Sequence, residues 1–282
     1  MKNNFIFIVF DSCRFDTFQA ASTPQIDRRG PTEKRYAYAS WTTPSHAVYF
    51  MGVTPHKSPK NVFASTVYQE DFKLWSSRLN VPDISFKRFV PELNLANFLK
   101  GNGYRTAAYV SMPVLNQHTA FNQYFDAYEL MPKHNDFNAV LDKLTFQKDT
   151  PSYYFLNLGE THYPYTLPHE SAEHLPRIHG VHGVFKNMDE LMTKKKGVAV
   201  EEPSTELFFS DEQMRELKEK QRTNIEYLDR LFEKLYDLAP PNTHILVTSD
   251  HGELFGEEGY FGHGPIFHEK VFEVFFVEGK RK

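Results

Sequence analysis

Acidic and imidazole side chains directly follow apolar runs at two distant places in the chain. The run "FIFIVF" ends on Asp11, and the run "HILVTS" ends on Asp250 and His251. Ligands of open α/β sheets bind at the carboxyl ends of the strands, so two parallel strands would bring these side chains to one edge. Carboxylate oxygens and an imidazole suit a divalent cation such as Zn²⁺, Mn²⁺ or Mg²⁺. The alternatives are a helix N-cap at Asp11 and an ordinary Asp-His-Gly turn.

Three further segments carry groups that can take part in catalysis. In "YASWTTPSHAVYFMG" hydroxyl groups precede a short helical pattern, whose free N–H groups can hold an anion. A metal ion can lower the pKa of such a hydroxyl without a triad base. The alternative is ordinary helix capping by Thr43 or Ser45. His162 in "GETHYPYTLP" and His263 in "GYFGHGP" lie in loops rich in Gly and Pro, as expected for groups that contact a substrate or protonate a leaving group.

Buried strands and amphipathic helices are predicted to position these groups. Helical patterns lie between the apolar runs, and this alternation favours an α/β fold with a mostly parallel sheet covered by helices on both faces. The clearest helix begins at Ser210, where Ser210 and Gln213 can form a capping box, and ends before Pro240. Another begins at about Glu92. The predicted strands are Phe5–Phe10, Thr106–Val110, Tyr153–Leu158, His244–Ser249 and Val271–Val277.

Length and composition limit the class of protein. With 282 residues, 40% of them hydrophobic, the chain is predicted to form one domain over residues 1–282, with loop excursions at about 57–89 and 169–205. The net charge of -4, with both signs mixed, argues against nucleic acid as the main partner. No stretch has the pattern of a signal peptide or the length of a membrane span. The single cysteine, Cys13, excludes internal disulfides and predicts a cytoplasmic location.

Taken together, the motifs resemble the alkaline phosphatase and sulfatase superfamily, specifically its sulfatase-like hydrolases and transferases. The resemblance implies the alkaline phosphatase-like three-layer sandwich. Family members usually continue into a small antiparallel subdomain, whereas this chain stops at Lys282. That subdomain is therefore expected to be largely missing, with the pocket either open or completed by a second subunit of a homo-oligomer. The matching fragments are "DSCRFDTF", "TPQIDRRG", "WTTPSHAVYFMGVTPH", "GYRTAAYV", "FNQYFDAYE", "THYPY", "NIEYLDRLFEKL" and "VTSDHGELFGEEGYFGHG".

The resemblance also assigns a metal centre and a nucleophile. Asp11, Asp250 and His251 match the family's metal ligands, and Thr42 matches the nucleophile, which also binds the metal. The sulfatases of the family have a Cys or Ser there, within a C-x-P-S-R pattern, that is oxidised to formylglycine. The same five positions read "TTPSH" here, and threonine cannot become formylglycine. The resemblance thus points away from a conventional sulfatase and towards members that keep an unmodified threonine, which act on phosphate esters or transfer phosphoryl-linked groups.

The remaining site residues are implied in the same way. His162 and His263 match catalytic or substrate-contacting histidines, and His46, at the last position of the "TTPSH" segment, is assigned to substrate binding. Arg14 matches an arginine that supports the anion and assists catalysis. The alternative for Arg14 is pairing with a nearby acid such as Asp16.

One divalent ion is expected rather than two. Many sulfatases have paired acids where Ser12 follows Asp11 here, so one calcium-type ligand is absent. Mn²⁺ or Zn²⁺ is therefore favoured, with Ca²⁺ or Mg²⁺ as alternatives. A second ion would need further ligands, for which Glu160, His162 and His263 are the candidates.

The predicted activity is metal-dependent hydrolysis of a phosphodiester, phosphomonoester or phosphonate ester, through a covalent phospho-threonine at Thr42. The expected substrate is a small-molecule or headgroup-type anionic ester. Three alternatives stay open: a phosphoryl-group transferase that uses the same site, a sulfatase that works without formylglycine, and an inactive member that serves as a binding protein.

Overall fold

The computed structural model describes residues 1–57, 64–84, 94–171 and 209–281, without the side chains of residues 64–69. The helices are α1 (Phe15–Ala20), α2 (Pro24–Asp27), α3 (Thr42–Phe50), α4 (Ala64–Leu79), α5 (Leu95–Gly101), α6 (Phe137–Leu141), α7 (Asp211–Leu238) and α8 (Glu269–Phe272). The strands are β1 (Asn4–Phe10), β2 (Glu33–Tyr36), β3 (Arg105–Val110), β4 (Ala127–Leu130), β5 (Ser152–Leu158), β6 (Thr243–Ser249), β7 (Leu254–Phe255), β8 (Phe261–Gly262) and β9 (Glu273–Lys280).

The main sheet has seven strands in the order β2-β9-β6-β1-β5-β3-β4. Neighbours from β6 to β4 pair in parallel, whereas β9 is antiparallel to both β6 and β2. Strands β7 and β8 form a small antiparallel sheet in the C-terminal part of the chain. Phe10 pairs with Leu158 on one side and with Ser249 on the other, so β5, β1 and β6 end level with one another.

Both faces of the sheet are buried, because alternate side chains of a strand point to opposite faces. Strand β1 places one set of side chains against α1, α6 and α7, and the other set against α3, α4 and α5. This arrangement confirms the predicted three-layer α/β sandwich. The first core contains Ile6, Ile8, Phe10, Phe18, Phe137, Leu228 and Phe232; the second contains Phe5, Phe7, Val9, Tyr49, Trp75 and Leu99.

The buried strands were predictable and the edge strands were not. Four predicted strands agree with β1, β3, β5 and β6 to within one residue at each end. The fifth is displaced, since residues 269–272 form α8 and β9 starts only at Glu273. Strands β2 and β4 are short and mostly part-exposed, so they lack the apolar run that marks a buried strand.

The long helix α7 begins where the capping box predicts. Ser210 Oγ accepts a hydrogen bond from Gln213 N at 3.2 Å, and Gln213 Oε1 accepts one from Ser210 N at 2.8 Å. The other predicted start, at about residue 92, lies outside the described residues. The described helix α5 begins at Leu95, where Asn94 Oδ1 accepts a hydrogen bond from Asn97 N at 3.0 Å.

The assignment of residues 1–282 to one domain, with excursions at about 57–89 and 169–205, stays a prediction. Helix α4 lies within the first of these segments, where the sequence shows no clean periodicity. Residues 172–205 of the second lie outside the described residues. Within the described ranges, no helix combines the length and the apolar character needed to cross a bilayer.

Candidate active site

The sheet brings Asp11 and Asp250 together. Each is the first residue after its strand, and β1 and β6 are parallel neighbours that end level, with Phe10 opposite Ser249. Ser12 joins the two carboxylates: its N–H donates to Asp250 Oδ1 at 3.0 Å, and its hydroxyl donates to Asp11 Oδ1 at 3.2 Å. Both acids are fully buried. Two buried carboxylates at one strand edge are costly unless a cation or a proton compensates them.

Helix α3 carries Thr42 to the same edge. Thr42 is the first residue of α3, and the hydroxyl of Tyr49 donates to the carbonyl of Ser249 at 2.9 Å, which ties the helix to the end of β6. Thr42 Oγ1 lies 3.4 Å from Asp11 Oδ1 and 3.4 Å from His251 Nε2. The predicted nucleophile is therefore in contact with two of the predicted metal ligands.

The ring of His251 has the tautomer that a metal ligand needs. His251 Nδ1 lies 2.9 Å from the carbonyl oxygen of Gly252, and a carbonyl can only accept, so Nδ1 carries the proton. Nε2 faces Thr42 Oγ1 and lies 3.2 Å from Asp250 Oδ2, where it offers a lone pair to a metal ion once it has lost its proton. Metal-binding histidines usually donate their other N–H to a carbonyl or a carboxylate in this way.

The surroundings of Asp250 Oδ2 support a cation in this centre. This buried oxygen receives no hydrogen bond from the described residues unless His251 Nε2, 3.2 Å away, carries a proton, although Oδ1 of the same group accepts two backbone N–H donors at 3.0 Å. Asp11, His46 and Asp250 offer ligand atoms that all lie within 4.8 Å of one another. The oxygen and nitrogen donors fit Zn²⁺ or Mn²⁺. Such an ion would be held by Asp11, Asp250, His251 and Thr42.

The pKa values in this cluster show how strongly its charges interact. Burial, and then the neighbouring Asp250, raise the pKa of Asp11 to about 7. Burial also raises the pKa of Asp250, but His251 beside it brings the pKa below its usual value. Burial lowers the pKa of His251, but Asp250 and Asp11 outweigh that effect and raise it to about 9. Without a metal ion, a proton on His251 compensates part of the negative charge.

His162 and His263 lie side by side near the cluster. Their ring centroids are 5.4 Å apart, and the ring of His263 is 4.3 Å from that of His251. His263 Nδ1 contacts Glu253 Oε1 at 3.1 Å, and Glu253 Oε2 accepts a hydrogen bond from the hydroxyl of Tyr165. His162 Nδ1 donates to the carbonyl of Tyr163 at 2.8 Å. The structure thus brings both predicted histidines to this edge.

Arg14 is buried, and its guanidinium contacts two carboxylates. It donates to Asp16 at 2.8 and 2.7 Å and to Glu257 at 2.6 Å, and it lies over the ring of Phe255. These contacts match the alternative reading, in which Arg14 pairs with nearby acids. Its role in catalysis and substrate binding stays a prediction.

His46 lies on α3, one turn after Thr42, and is fully buried. Its Nδ1 is 2.8 Å from the carbonyl oxygen of Thr42 and 3.7 Å from Asp250 Oδ2. Because Nδ1 donates to that carbonyl, it is not free to act as a ligand. The proposed contact of His46 with substrate stays a prediction.

Of the candidates for a second metal ion, His162 and His263 lie side by side, but within the described structure they form no metal-binding group with Glu160. Glu160 Oε1 accepts a hydrogen bond from Phe137 N at 2.6 Å, at the start of α6. Among the residues that the structure describes, the one group of three acidic, histidine or cysteine residues whose ligand atoms all lie within 4.8 Å of one another is Asp11, His46 and Asp250, and it contains none of these candidates. A single ion remains the prediction.

Sequence reasoning missed several buried polar residues of this edge. Asn157 Nδ2 donates to Asp11 Oδ2 at 2.9 Å. Gln221 on α7 donates to the carbonyls of Ser12 and Thr161, both at 3.0 Å, and so ties the loops after β1 and β5 together. Asn157 left a signal, since it interrupts the apolar run "YYFLNL" of β5. A polar residue inside a buried strand needs a partner.

A family model decides the wider assignment. The sulfatase model matches residues 3–270, which is nearly the whole chain. The chain belongs to the sulfatase family. It is therefore an enzyme of the sulfatase-like hydrolase or transferase type, within the alkaline phosphatase and sulfatase superfamily, as the resemblance predicts. No curated protein matches the chain.

Several solved structures share this fold at low sequence identity. The C-terminal periplasmic domain of EcEptC from Escherichia coli has a TM-score of 0.58 at 13% identity, over 100% of this chain and 73% of that one. A complex of that domain with Zn has a TM-score of 0.57 at 12% identity, with the same coverage of both chains. The C-terminal periplasmic domain of the phosphoethanolamine transferase EptC from Campylobacter jejuni has a TM-score of 0.53 at 12% identity, over 99% of this chain and 80% of that one. The structure of BT1596, a 2-O GAG sulfatase, has a TM-score of 0.56 at 13% identity, over 100% of this chain and 66% of that one.

Proposed function

We propose that this chain is a metal-dependent hydrolase of phosphate esters in which Thr42 is the nucleophile. The substrate would be a phosphodiester, a phosphomonoester or a phosphonate ester with a small or headgroup-type alcohol. The observation that carries the proposal is the position of Thr42 Oγ1, which lies 3.4 Å from both Asp11 Oδ1 and His251 Nε2 at the start of α3. A threonine placed only to cap a helix would not need to contact a buried carboxylate and a ligand-type imidazole.

Asp11, Asp250, His251 and the Thr42 hydroxyl would hold one divalent ion, with Mn²⁺ or Zn²⁺ favoured by the imidazole ligand. When bound, such an ion polarises a phosphoryl oxygen and lowers the pKa of a coordinated hydroxyl. The burial of both carboxylates keeps water from competing with these interactions.

The chain's own groups account for the proton transfers. The Thr42 hydroxyl donates to Asp11 Oδ1, which can take its proton as Oγ1 attacks phosphorus in line. The bond from Oγ1 to phosphorus forms while the bond to the departing alcohol breaks, and His263 or His162 gives that alcohol its proton. This step leaves a covalent phospho-threonine. A water molecule then attacks the phosphorus and gives a proton to the histidine that protonated the alcohol, while the bond from phosphorus to Oγ1 breaks and Asp11 returns its proton to Oγ1. The step frees phosphate, a phosphate monoester or a phosphonate.

Comparison of Thr42→Ala with Thr43→Ala tests the nucleophile. Thr43 is the adjacent hydroxyl and is exposed, so it makes a matched control. We expect Thr42→Ala to lower kcat by at least about a thousandfold, as losses of a nucleophile do, with metal binding weakened but measurable. Thr43→Ala should keep wild-type turnover. Equal activity of Thr42→Ala and wild type would remove Thr42 from the mechanism.

A substrate and metal matrix tests the reaction. Aryl phosphodiesters, phosphomonoesters, phosphonate esters and sulfates would each be tried with Mn²⁺, Zn²⁺, Mg²⁺ and Ca²⁺. We expect turnover of a phosphate or phosphonate ester, together with a phosphorylated peptide containing Thr42 in mass spectra of quenched reactions. A clear preference for sulfate esters would overturn the phosphate assignment in favour of a sulfatase that needs no formylglycine.

Phosphoryl-group transfer on the same site is the second candidate. The fold neighbour from Campylobacter jejuni is a phosphoethanolamine transferase, and a transferase would need every residue named above. Addition of acceptor alcohols separates the two activities, because a transferase forms a new ester at the expense of the hydrolysis product. The cytoplasmic location, the possible homo-oligomer and the lack of a nucleic-acid partner stay predictions.

A further inference from the structure

Asn157 lies in β5, fully buried, one residue before the end of the strand. Its Oδ1 accepts hydrogen bonds from Ser111 N and Met112 N, both at 3.1 Å. An amide nitrogen cannot accept two N–H donors, so these bonds determine which end of the side chain is oxygen. Nδ2 therefore points towards the active-site edge with two hydrogens to donate.

Those two hydrogens have two acceptors. Asn157 Nδ2 donates to Asp11 Oδ2 at 2.9 Å and lies 3.2 Å from His46 Nε2. His46 Nδ1 already carries the ring proton, because it is 2.8 Å from the carbonyl oxygen of Thr42. Nε2 consequently has a lone pair and accepts from Asn157. A continuous series of hydrogen bonds thus runs from the loop after β3, through Asn157 and His46, to the backbone of Thr42.

We propose that Asn157 is a positioning residue that orients both Asp11 and Thr42. It holds Asp11 Oδ2 directly, and through His46 it holds the first turn of α3. In this arrangement His46 acts on Thr42 rather than on the substrate. The inference rests on the proposed function, since it assumes that Asp11 binds the ion and that Thr42 is the nucleophile.

An amide suits this position better than the obvious alternatives. A neutral donor orients the Asp11 carboxylate without cancelling the negative charge that a cation needs. An aspartate would place a third carboxylate beside Asp11 and Asp250. An apolar side chain would leave the N–H groups of Ser111 and Met112, together with His46 Nε2, buried without their partner.

The first test determines which ring nitrogen of His46 carries the proton in the wild-type enzyme, and it needs no variant. Histidine labelled with ¹⁵N, observed with and without Zn²⁺, should show His46 protonated on Nδ1 and bare on Nε2. A His46 ring that is protonated on Nε2 overturns the inference, because Asn157 could then not donate to it.

Variants provide the second test. Asn157→Leu is close in size, and Asn157→Ala covers the case in which the leucine variant does not fold. We expect Zn²⁺ affinity, measured by competition with a chromogenic chelator, to fall about tenfold to a hundredfold, and the Nε2 signal of His46 to shift. Asn4→Asp is the control, since Asn4 is a buried asparagine at the opposite end of β1, where it bonds Asn242 and Ser152. It should leave both readouts unchanged.

The outcomes separate this inference from the proposed function. Asn157 variants with wild-type Zn²⁺ affinity and an unchanged His46 signal would overturn the positioning role, whatever the activity of the enzyme. A wild-type protein that binds none of the four ions would overturn the proposed function, and the positioning role with it. If the wild-type protein binds metal and turns over substrate while the Asn157 variants keep the wild-type Zn²⁺ affinity and His46 signal, the proposed function is supported and the positioning role is overturned.

Discussion

His251 Nε2 faces Asp250 Oδ2 at a distance of 3.2 Å, and the opposite ring nitrogen donates to the carbonyl of Gly252. A lone pair on Nε2 and a carboxylate oxygen repel each other at this distance unless a proton or a metal ion compensates them. The contact therefore indicates a centre that is built to hold a positive charge.

Replacement of His251 by Ala should reduce Zn²⁺ affinity by at least about a hundredfold, because it removes the only uncharged nitrogen ligand of the proposed set. His244→Ala is the matched control. His244 lies near the start of the same strand, β6, and its Nε2 is 3.4 Å from Glu278. Competition with a chelator measures both affinities. Equal affinities of the two variants would show that His251 is not a ligand.

Asp250→Asn should separate the metal-dependent stability from the stability of the bare fold. The asparagine Oδ1 can still accept the N–H groups of Ser12 and His251, and its Nδ2 can donate to His251 Nε2. In chelator we expect the variant to melt below wild type, because asparagine cannot form the buried ion pair that Asp250 makes with protonated His251. Saturating Zn²⁺ at about 100 times Kd should stabilise wild type by about 2.7 kcal/mol and leave the variant unchanged. A similar rise in melting temperature in both proteins would contradict the proposed ligand set.

Glu160 should give the folded protein a distinct pH dependence. Its carboxyl is buried, Oε2 has no hydrogen-bond partner among the described residues, and burial raises the pKa from 4.5 to about 8. The folded chain therefore binds more protons than the unfolded chain between these two values. Consequently the free energy of unfolding falls as the pH rises through that window, by up to about 1.4 kcal/mol per pH unit.

Glu160→Gln should remove that slope, since glutamine keeps the acceptor for Phe137 N without a titrating group. We expect the variant to be more stable than wild type at pH 8 and closer to it at pH 5, in urea titrations with a chelator present. Glu216→Gln, an exposed position on α7, is the control and should keep the wild-type profile. A Glu160→Gln profile parallel to that of wild type would show that Glu160 does not titrate as described.

Gly252→Ala should damage both the fold and the metal centre. A Cβ at this position would lie 2.0 Å from the carbonyl oxygen of Lys270, so the loop after β6 and helix α8 must separate. The cost should be about 1–3 kcal/mol or more, and Zn²⁺ affinity should fall because the Gly252 carbonyl orients His251. Gly101→Ala is the control, since a Cβ there meets nothing within 4 Å in the part of the chain that the structure describes. A variant that loses stability but keeps the wild-type Zn²⁺ affinity would show that this loop supports the fold without orienting His251.

The buried strands and the ends of the best helix could be read directly from the chain. Strands such as β1 and β6 are continuous apolar runs because both of their faces are covered, and the capping box marks the start of α7 through local hydrogen bonds. The edge strands β2 and β4 escaped detection because they are short and part-exposed. Strand β9 was misplaced because α8 and the strand share one continuous apolar pattern.

The sequence alone determined the family and the α/β class, as well as the side chains offered to the site, since these depend on local pattern and on the order of the motifs. Only the tertiary structure decided how those side chains meet. In the structure Arg14 donates hydrogen bonds to Asp16 and Glu257, and Asn157 lies between Asp11 and His46 and contacts both. Such contacts join residues that are far apart in the chain. They depend on strand order and on the hydrogen bonds each buried group must find, which no local pattern encodes.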